Sequence, residues 1–278
     1  MIAAMGDMLP MVVDRNRVLC GFNIFGYEDA LAVVRAGEEM EAPLLLMVNR
    51  AMADFMPPSA CGPMLRDLAE RSSQPVGVHL DHSWDLGVLE SALDSGFTSV
   101  MYDGSRRPLA ENIRLTARAR KLADRYGATL EGEVGTVPYD DLGESPGDFT
   151  RAVDAAALVE GSGVDVLAVS VGNIHRLTRP EARIDFERLA AIESAVEVPL
   201  VIHGASGVAD EDFQRLLGTR VAKFNVGTRL RQAFGTALRD YLGNHPEDFD
   251  RLRILESTIA PVQDAARSVL IQSGWKYR

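Results

Sequence analysis

Three of the five histidines in this chain stand where β-rich runs of the sequence end. His82 ends PVGVHLDH, His203 lies near the end of PLVIHG, and His175 lies just past VDVLAVSVG. Neutral imidazoles are the commonest metal ligands, and three histidines with an open fourth position form a catalytic zinc arrangement. The placement therefore predicts a metal site with His82, His175 and His203 as ligands. For any one of them alone, a hydrogen-bonded core or loop position is the alternative.

The remaining two histidines are predicted to have different surroundings. Side chains alternate along a strand, so His79 and His82 are expected to point to opposite faces of the third run. We interpret His79 as a residue that supports the metal ligands or packs in the core. His245 lies in the segment NHPED and is predicted to be a surface residue.

Acidic residues collect at the same positions. Asp81 immediately precedes His82, Asp103 ends the fourth run, and Glu131 and Glu133 share one face of the fifth. A pair of carboxylates inside a barrel strand is costly unless it is paired or bound to a metal. We therefore predict that Asp103, Glu131 and Glu133 support the metal ligands or hold a second metal. An exposed turn position is the alternative for Asp103.

Two glycine-rich segments are suited to a phosphate group. HGASG (203–207) follows the seventh run and NVGT (225–228) follows the eighth, each just before a helical pattern. Glycine lets backbone amides approach an anion, and the start of a helix adds a favourable dipole. The predicted phosphate-binding residues are Gly204, Ala205, Ser206, Gly207, Asn225, Val226, Gly227 and Thr228.

Eight β-rich runs alternate with helical patterns and must position these residues. The runs span 18–24, 43–49, 75–82, 99–104, 129–135, 164–172, 199–204 and 221–227. Eight repeats of strand and helix close a TIM barrel, whose active site lies at the C-terminal ends of the strands. An open doubly wound sheet is the alternative, although the Gly-x-Gly-x-x-Gly fingerprint of its nucleotide-binding form is missing. We predict one domain over 1–278, with a short leading helix and one or two extra helices after about 247.

Composition limits the function classes. The net charge of −11 argues against a nucleic-acid partner, so phosphate must be held by local amides and a few arginines. No apolar run approaches the roughly 20 residues that a membrane helix needs. The N-terminus lacks the pattern of a signal peptide, so a cytoplasmic location is expected. Cys20 and Cys61 have no partner at metal-ligand spacing and are predicted to be reduced thiols.

Six motifs occur in the order and spacing of a known family. They are HLDH (79–82), VMYDGS (100–105), EGEVG (131–135), VGNIH (171–175), HGASG (203–207) and KFNVGT (223–228). The chain resembles the class II fructose/tagatose-bisphosphate aldolases over nearly its whole length. The resemblance implies reversible retro-aldol cleavage of a ketose 1,6-bisphosphate to dihydroxyacetone phosphate and an aldehyde, through a zinc-stabilised enediolate. It also implies a homodimer or homotetramer.

The resemblance also implies roles for individual residues. One zinc ion per subunit would be held by His82, His175 and His203. Asp81, which matches the family's aspartate before the first zinc histidine, would be the general acid/base. Asn225 is predicted to donate a hydrogen bond to the enediolate. The glycine-rich segments match the dihydroxyacetone-phosphate site, which a sodium or potassium ion often supports in the family.

Several positions depart from the family pattern. Ser83 and Arg176 follow the first and second zinc histidines, where glycine is usual, and Arg229 replaces an acidic residue. Asp140 and Asp141 stand in the loop that carries a glutamate pair in the family, and we predict that one of them exchanges the C–H proton. Arg176 and Arg229 suit bidentate binding of phosphate or carboxylate, or else point to solvent or a neighbouring subunit.

Other functions remain as alternatives. The substrate could be a different ketose or sugar-acid phosphate, and the chain could be a non-catalytic stabilising subunit. A zinc hydrolase of the same fold usually carries an early His-x-His pair, whereas this chain has no histidine before His79. A Schiff-base aldolase needs a lysine in the barrel, for which Lys223 is the candidate. We interpret Lys223 as a buried charge that pairs with Glu131 or Glu133.

Overall fold

Eight parallel strands form a closed barrel, in which each strand pairs with the next along the chain and the last pairs with the first. The computed structural model describes residues 1–13, 15–143 and 147–276. The strands are β1 (Leu19–Asn23), β2 (Leu44–Val48), β3 (Val76–Ser83), β4 (Ser99–Tyr102), β5 (Thr129–Val134), β6 (Val166–Val169), β7 (Leu200–Ile202) and β8 (Val221–Val226). The predicted TIM barrel is confirmed, although β4, β6 and β7 end earlier than the sequence pattern indicated.

Helices cover the outside of the barrel. They are α1 (Met5–Met8), α2 (Tyr27–Glu39), α3 (Arg50–Phe55), α4 (Pro58–Arg71), α5 (Leu86–Asp94), α6 (Leu109–Asp124), α7 (Ala152–Ser162), α8 (Phe186–Ala195), α9 (Asp210–Leu216), α10 (Thr228–Asn244) and α11 (Arg251–Gln272). Among the described residues, none of these helices is long and apolar enough to cross a membrane. The short leading helix and one extra C-terminal helix in the described residues, α11, match the sequence-based expectation of one or two.

The strands carry near-continuous apolar runs because both of their faces are covered. All five residues of β2, LLLMV, are buried, as expected for a parallel strand between the barrel interior and the helices. Side-chain caps then fix where several helices begin. Asn49 caps α3 by accepting from the Met52 amide at 3.1 Å, and Asp185 caps α8 by accepting from the Arg188 amide at 2.9 Å.

The chain ends pack onto the barrel. Ile2 forms a parallel bridge with Val76, at the N-terminal end of β3. The last helix, α11, packs against α2 and α10, and the Trp275 indole donates to the Val18 carbonyl at 3.0 Å. Both contacts lie away from the C-terminal ends of the strands, which leaves that end of the barrel open for a site.

Candidate active site

A cavity of about 690 Å³ opens at the C-terminal end of the barrel. Its wall includes residues that follow each of the eight strands, so the barrel itself sets their relative positions. The lining residues predicted from sequence are Asp81, His82, Asp103, His175, Arg176, Gly204, Ser206, Asn225, Gly227 and Thr228.

The three predicted metal ligands lie together at this cavity, which His82 and His175 line while His203 is fully buried beside them. The ring centroid of His82 lies 4.9 Å from that of His175 and 4.5 Å from that of His203. The centroids of His175 and His203 are 5.6 Å apart. One ring nitrogen from each lies within 4.8 Å of the others. This spacing lets one ion contact all three imidazoles.

His82 reaches the cavity through an irregular backbone. Strict alternation would turn His82 away from the face that Asp81 occupies. The alternation rule fails at this position, because His82 has a φ of 51° and the register between β3 and β4 shifts between Leu80 and Ser83. A left-handed conformation is uncommon outside glycine and costs free energy. The local strain therefore lets two adjacent residues, Asp81 and His82, face one site.

Carboxylates orient two of the imidazoles. His82 Nδ1 lies 2.9 Å from Asp103 Oδ2, and His203 Nε2 lies 2.8 Å from Glu131 Oε1. The opposite nitrogens, His82 Nε2 and His203 Nδ1, are buried and have no hydrogen-bond partner among the described residues. A carboxylate on one ring nitrogen and a metal on the other is the usual arrangement at protein metal sites. The donor set therefore fits a metal ion.

A second group of possible ligands adjoins the first. His82, Asp103 and Glu133 also offer one donor atom each within 4.8 Å. Glu133 Oε2 is buried and unpartnered within the described ranges, 3.5 Å from His82 Nδ1. Burial and the neighbouring carboxylate of Asp103 raise the pKa of Glu133 well above its usual value. Against the effect of burial, hydrogen bonds with His82 and Ser105 hold the pKa of Asp103 below its usual range.

Asp81 is held by two side-chain amides. Asn23 Nδ2 donates to Asp81 Oδ2 at 2.9 Å, and Asn225 Nδ2 donates to Asp81 Oδ1 at 3.0 Å. Asn49 in turn donates to Asn23 Oδ1 at 3.2 Å. Only 3% of the Asp81 surface is exposed. Donors on both oxygens fix the plane of the carboxylate.

The glycine-rich segments flank the three histidines. Gly204 has a φ of 64° and leads into a 3-10 turn at Ala205–Gly207, whereas Thr228 begins α10. Ser206 Oγ is buried and has no hydrogen-bond partner in the part of the chain that the structure describes. Gly204, Ser206, Gly227 and Thr228 line the cavity. Ala205, Gly207 and Val226 do not line it and are buried.

The loop after β5 folds back onto His175. The ring of Tyr139 stacks on the His175 ring at 4.4 Å, and the two residues form a parallel bridge. Asp141 is paired with Arg176 at 2.8 Å, and neither Asp140 nor Asp141 lines the cavity. Residues 144–146 of the loop predicted over 135–148 lie outside the described ranges.

The structure separates the two arginines that the sequence placed together. Arg176 lines the cavity and lies over the Tyr139 ring at 5.0 Å. Arg176 has a φ of 59°, in the left-handed region, which glycine adopts with less strain than other residues. Arg229 instead bonds Gln272 and lies outside the cavity lining. Of the two arginines, Arg176 reaches the cavity in this structure, and an anion-binding role for Arg229 stays a prediction.

Comparison with known proteins agrees with this geometry. The sequence model of the class-II fructose-bisphosphate aldolases matches residues 3–274. The chain belongs to this family. The D-tagatose-1,6-bisphosphate aldolase subunit GatY of Klebsiella oxytoca is 34% identical over 253 residues, which cover 90% of this chain and 89% of that protein. The predicted family and the assignment as an aldehyde-lyase are confirmed.

Solved structures resemble this aldolase over almost the whole chain. The YdjI aldolase of Escherichia coli K12 has a TM-score of 0.88 at 28% identity, covering 99% of this chain and 98% of that one. A putative fructose-1,6-biphosphate aldolase of Coccidioides immitis shares the fold, with a TM-score of 0.88 at 24% identity, covering 98% and 96%.

Sequence reasoning missed several residues of the aldolase cavity. Asn23 and Asn49 end or follow β1 and β2, so the rule that selected His82 and His203 would have found them. Tyr139 carries no such signal, because only the fold of its loop brings it to His175. The cavity residues without a sequence-based prediction also include Phe25, Arg50, Trp84, Arg106, Arg107 and Arg231.

Proposed function

We propose that this aldolase reversibly cleaves a ketose 1,6-bisphosphate of the fructose or tagatose type to dihydroxyacetone phosphate and an aldehyde. One observation carries the proposal. The ring nitrogens of His82 and His203 that have no hydrogen-bond partner among the described residues converge beside the carboxylate of Asp81, with His82 Nε2 3.9 Å from Asp81 Oδ1. Retro-aldol cleavage has two requirements: a metal that stabilises the developing negative charge, and a nearby group that accepts the hydroxyl proton.

We infer that the resident metal is one zinc ion per subunit, held by His82, His175 and His203. Three imidazoles without a protein thiolate suit zinc, although cobalt, iron and manganese also accept them. When bound, zinc would polarise the substrate oxygens and stabilise the negative charge that develops as the carbon–carbon bond breaks. We also propose a sodium or potassium ion near the phosphate, as in the family.

Asp81 is proposed to move the proton at the C4 hydroxyl. It would accept that proton in cleavage and return it in condensation. Asn23 and Asn225 hold both carboxylate oxygens in place, and each amide donates only one of its two hydrogens to Asp81. The second hydrogen of Asn225 supports the proposed donation to the substrate oxygen where charge develops.

The phosphate of the three-carbon unit is proposed to bind on the side of β7 and β8. Gly204, Ser206, Gly227 and Thr228 line the cavity there. Suitable donors are the backbone amides at the start of α10 and the hydroxyl of Ser206, which bonds nothing else in the described part of the chain. Cavity contact supports these four residues, with Asn225, more than the enclosed Ala205, Gly207 and Val226.

Arginines around the rest of the mouth support a second anionic group on the substrate. Arg50, Arg106 and Arg107 follow β2 and β4, across the barrel from the glycine-rich segments, and Arg231 lies on α10. This placement suits the far phosphate of a bisphosphate. Arginine forks also match carboxylates, so a phosphorylated sugar acid is the second candidate substrate.

The C–H proton exchange is proposed for Asp140 or Asp141, which requires the loop to rearrange. Asp141 would have to leave Arg176, and Asp140 would have to turn into the cavity. A variant with both aspartates changed to asparagine should cleave substrate but exchange the C–H proton more slowly. Exchange at the wild-type rate would exclude both residues. The homodimer or homotetramer, the single domain and the cytoplasmic location stay predictions.

The deciding experiment follows triose phosphate release from a panel of ketose bisphosphates and sugar-acid phosphates, with and without a chelator. We expect activity to be lost with chelator and restored by zinc. Asp81→Asn should keep zinc but lose roughly 10²- to 10⁴-fold in kcat, whereas the surface variant Asp67→Asn should match the wild type. Activity that survives chelation, with a borohydride-trapped adduct at Lys223, would overturn the proposal.

A further inference from the structure

We propose that Lys223 is a positioning residue for the metal site, acting on His203 through Glu131. The inference rests on the proposed zinc site and extends it to a residue that reaches neither metal nor substrate. Lys223 lies on β8, is fully buried, and is absent from the cavity lining. The same placement argues against a Schiff base at this lysine.

A continuous polar chain crosses the barrel interior beneath the cavity. Lys223 Nζ donates to Glu131 Oε2, and the other oxygen of Glu131 lies 2.8 Å from His203 Nε2. Lys223 Nζ also lies 3.4 Å from His79 Nε2, and His79 Nδ1 lies 2.8 Å from Ser99 Oγ. The side chains of Lys223, Glu131, His79 and His203 have no exposed surface.

Stability alone does not explain why these polar side chains are buried inside the barrel. TIM barrel interiors are filled mainly by bulky aliphatic side chains. A buried ion pair gains little over a well-packed apolar pair, because removing two charges from water costs about as much as their attraction returns. A lysine and a glutamate at the centre of the barrel are therefore better explained by what they orient.

The geometry shows that the pair of Lys223 and Glu131 orients the ring of His203. Lys223 holds one oxygen of Glu131, so the other oxygen faces His203 Nε2 and can only accept a hydrogen bond from it. That bond places the hydrogen of the imidazole on Nε2 and leaves Nδ1 as the electron-pair donor. His203 Nδ1 is the buried atom without a hydrogen-bond partner among the described residues. Without the lysine, the carboxylate is free to rotate, and the ring loses its fixed orientation.

A double-mutant cycle tests whether Lys223 acts through Glu131. The variants are Lys223→Met, Glu131→Leu and the double variant, and Lys121→Met on the exposed face of α6 is the control. Zinc affinity is measured on metal-free protein by competition with a chromophoric chelator, and thermal unfolding of the metal-free protein reports stability. We expect Lys223→Met and Glu131→Leu each to weaken zinc binding roughly 10- to 100-fold, with Lys121→Met unchanged.

The double variant separates positioning from a structural role. We expect it to bind zinc no more weakly than Glu131→Leu alone, because the lysine then has nothing to orient. It should also be at least as stable without metal as Lys223→Met, in which one buried charge is unpaired. Zinc affinity equal to the wild type in Lys223→Met, or additive losses in the double variant, would overturn the inference. If wild-type protein bound no zinc, the proposed function itself would fail instead.

Discussion

Gly204→Ala should damage the metal site far more than its backbone conformation alone requires. Gly204 follows His203 directly and has a φ of 64°, which costs an L-residue about 1–2 kcal/mol. A Cβ here would lie 2.2 Å from the Ile174 carbonyl oxygen and 3.1 Å from the His175 amide nitrogen. One glycine therefore keeps the backbones of two proposed zinc ligands in direct contact.

The expected magnitude follows from these distances. Backbone oxygen cannot rotate away as a side chain can, so the peptide at Ile174 must move by roughly 1 Å, several times the tolerance of about 0.2 Å in zinc–ligand distances. We expect zinc affinity to fall by at least about 10- to 100-fold, as when supporting contacts of a metal ligand are lost. Stability of the metal-free protein should fall by more than the conformational cost alone.

Gly127→Ala is the matched control. Its φ is 62°, and nothing lies within 4 Å of the added Cβ. It should therefore show the backbone cost of about 1–2 kcal/mol, seen as a few degrees in Tm, with unchanged zinc affinity. Both variants are compared by thermal unfolding without metal and by zinc competition titration. Zinc binding as tight in Gly204→Ala as in Gly127→Ala would refute a role of this backbone contact in holding the metal site.

Three further predictions concern carboxylates and their partners. Burial raises the pKa of Asp29 from 3.8 to about 6, so its neutral form contributes stability below pH 3.8 that is lost as the pH rises through 6. Relative to Asp29→Asn, the wild type should therefore lose up to about 3 kcal/mol in urea unfolding between pH 4 and pH 8; a constant difference would contradict this. Asp103→Asn should weaken zinc binding roughly 10-fold or more through His82, and unchanged affinity would exclude that role. Asn23→Ala should lower kcat/KM roughly 10- to 100-fold by releasing one oxygen of Asp81, and a loss of zinc affinity instead would show that it supports the metal.

The barrel and the convergence of His82, His175 and His203 could be predicted because both depend on repeating rules. Parallel strands bring their C-terminal ends together, so residues at the ends of three runs had to meet whatever the details of packing. The same rule placed Asp81, Asp103 and Asn225 at the cavity. Period-two alternation also put Lys223 and Glu131 inside the barrel, where they pair.

Other features depend on local backbone or on loops, which no periodic pattern describes. We predicted from strict alternation that His79 and His82 point to opposite faces of their strand. The left-handed backbone of His82 breaks this alternation. Arg229 was expected beside the phosphate because of its place in the sequence, but the first turn of α10 directs it to Gln272. Tyr139 reaches His175 only through the path of a long loop.

The bridge between the β5 loop and His175 has a consequence for the integrity of the chain. The His175 amide donates to the Pro138 carbonyl at 2.8 Å, and the Asp140 amide donates to the His175 carbonyl at 3.1 Å. Opening the loop breaks both hydrogen bonds on a proposed zinc ligand. Thermodynamic linkage then requires that an ion bound to the ordered form also restrain the loop. Proteases should consequently cut this segment faster in metal-free protein. Loss of the metal would then lead to cleavage of the loop while the barrel is still folded.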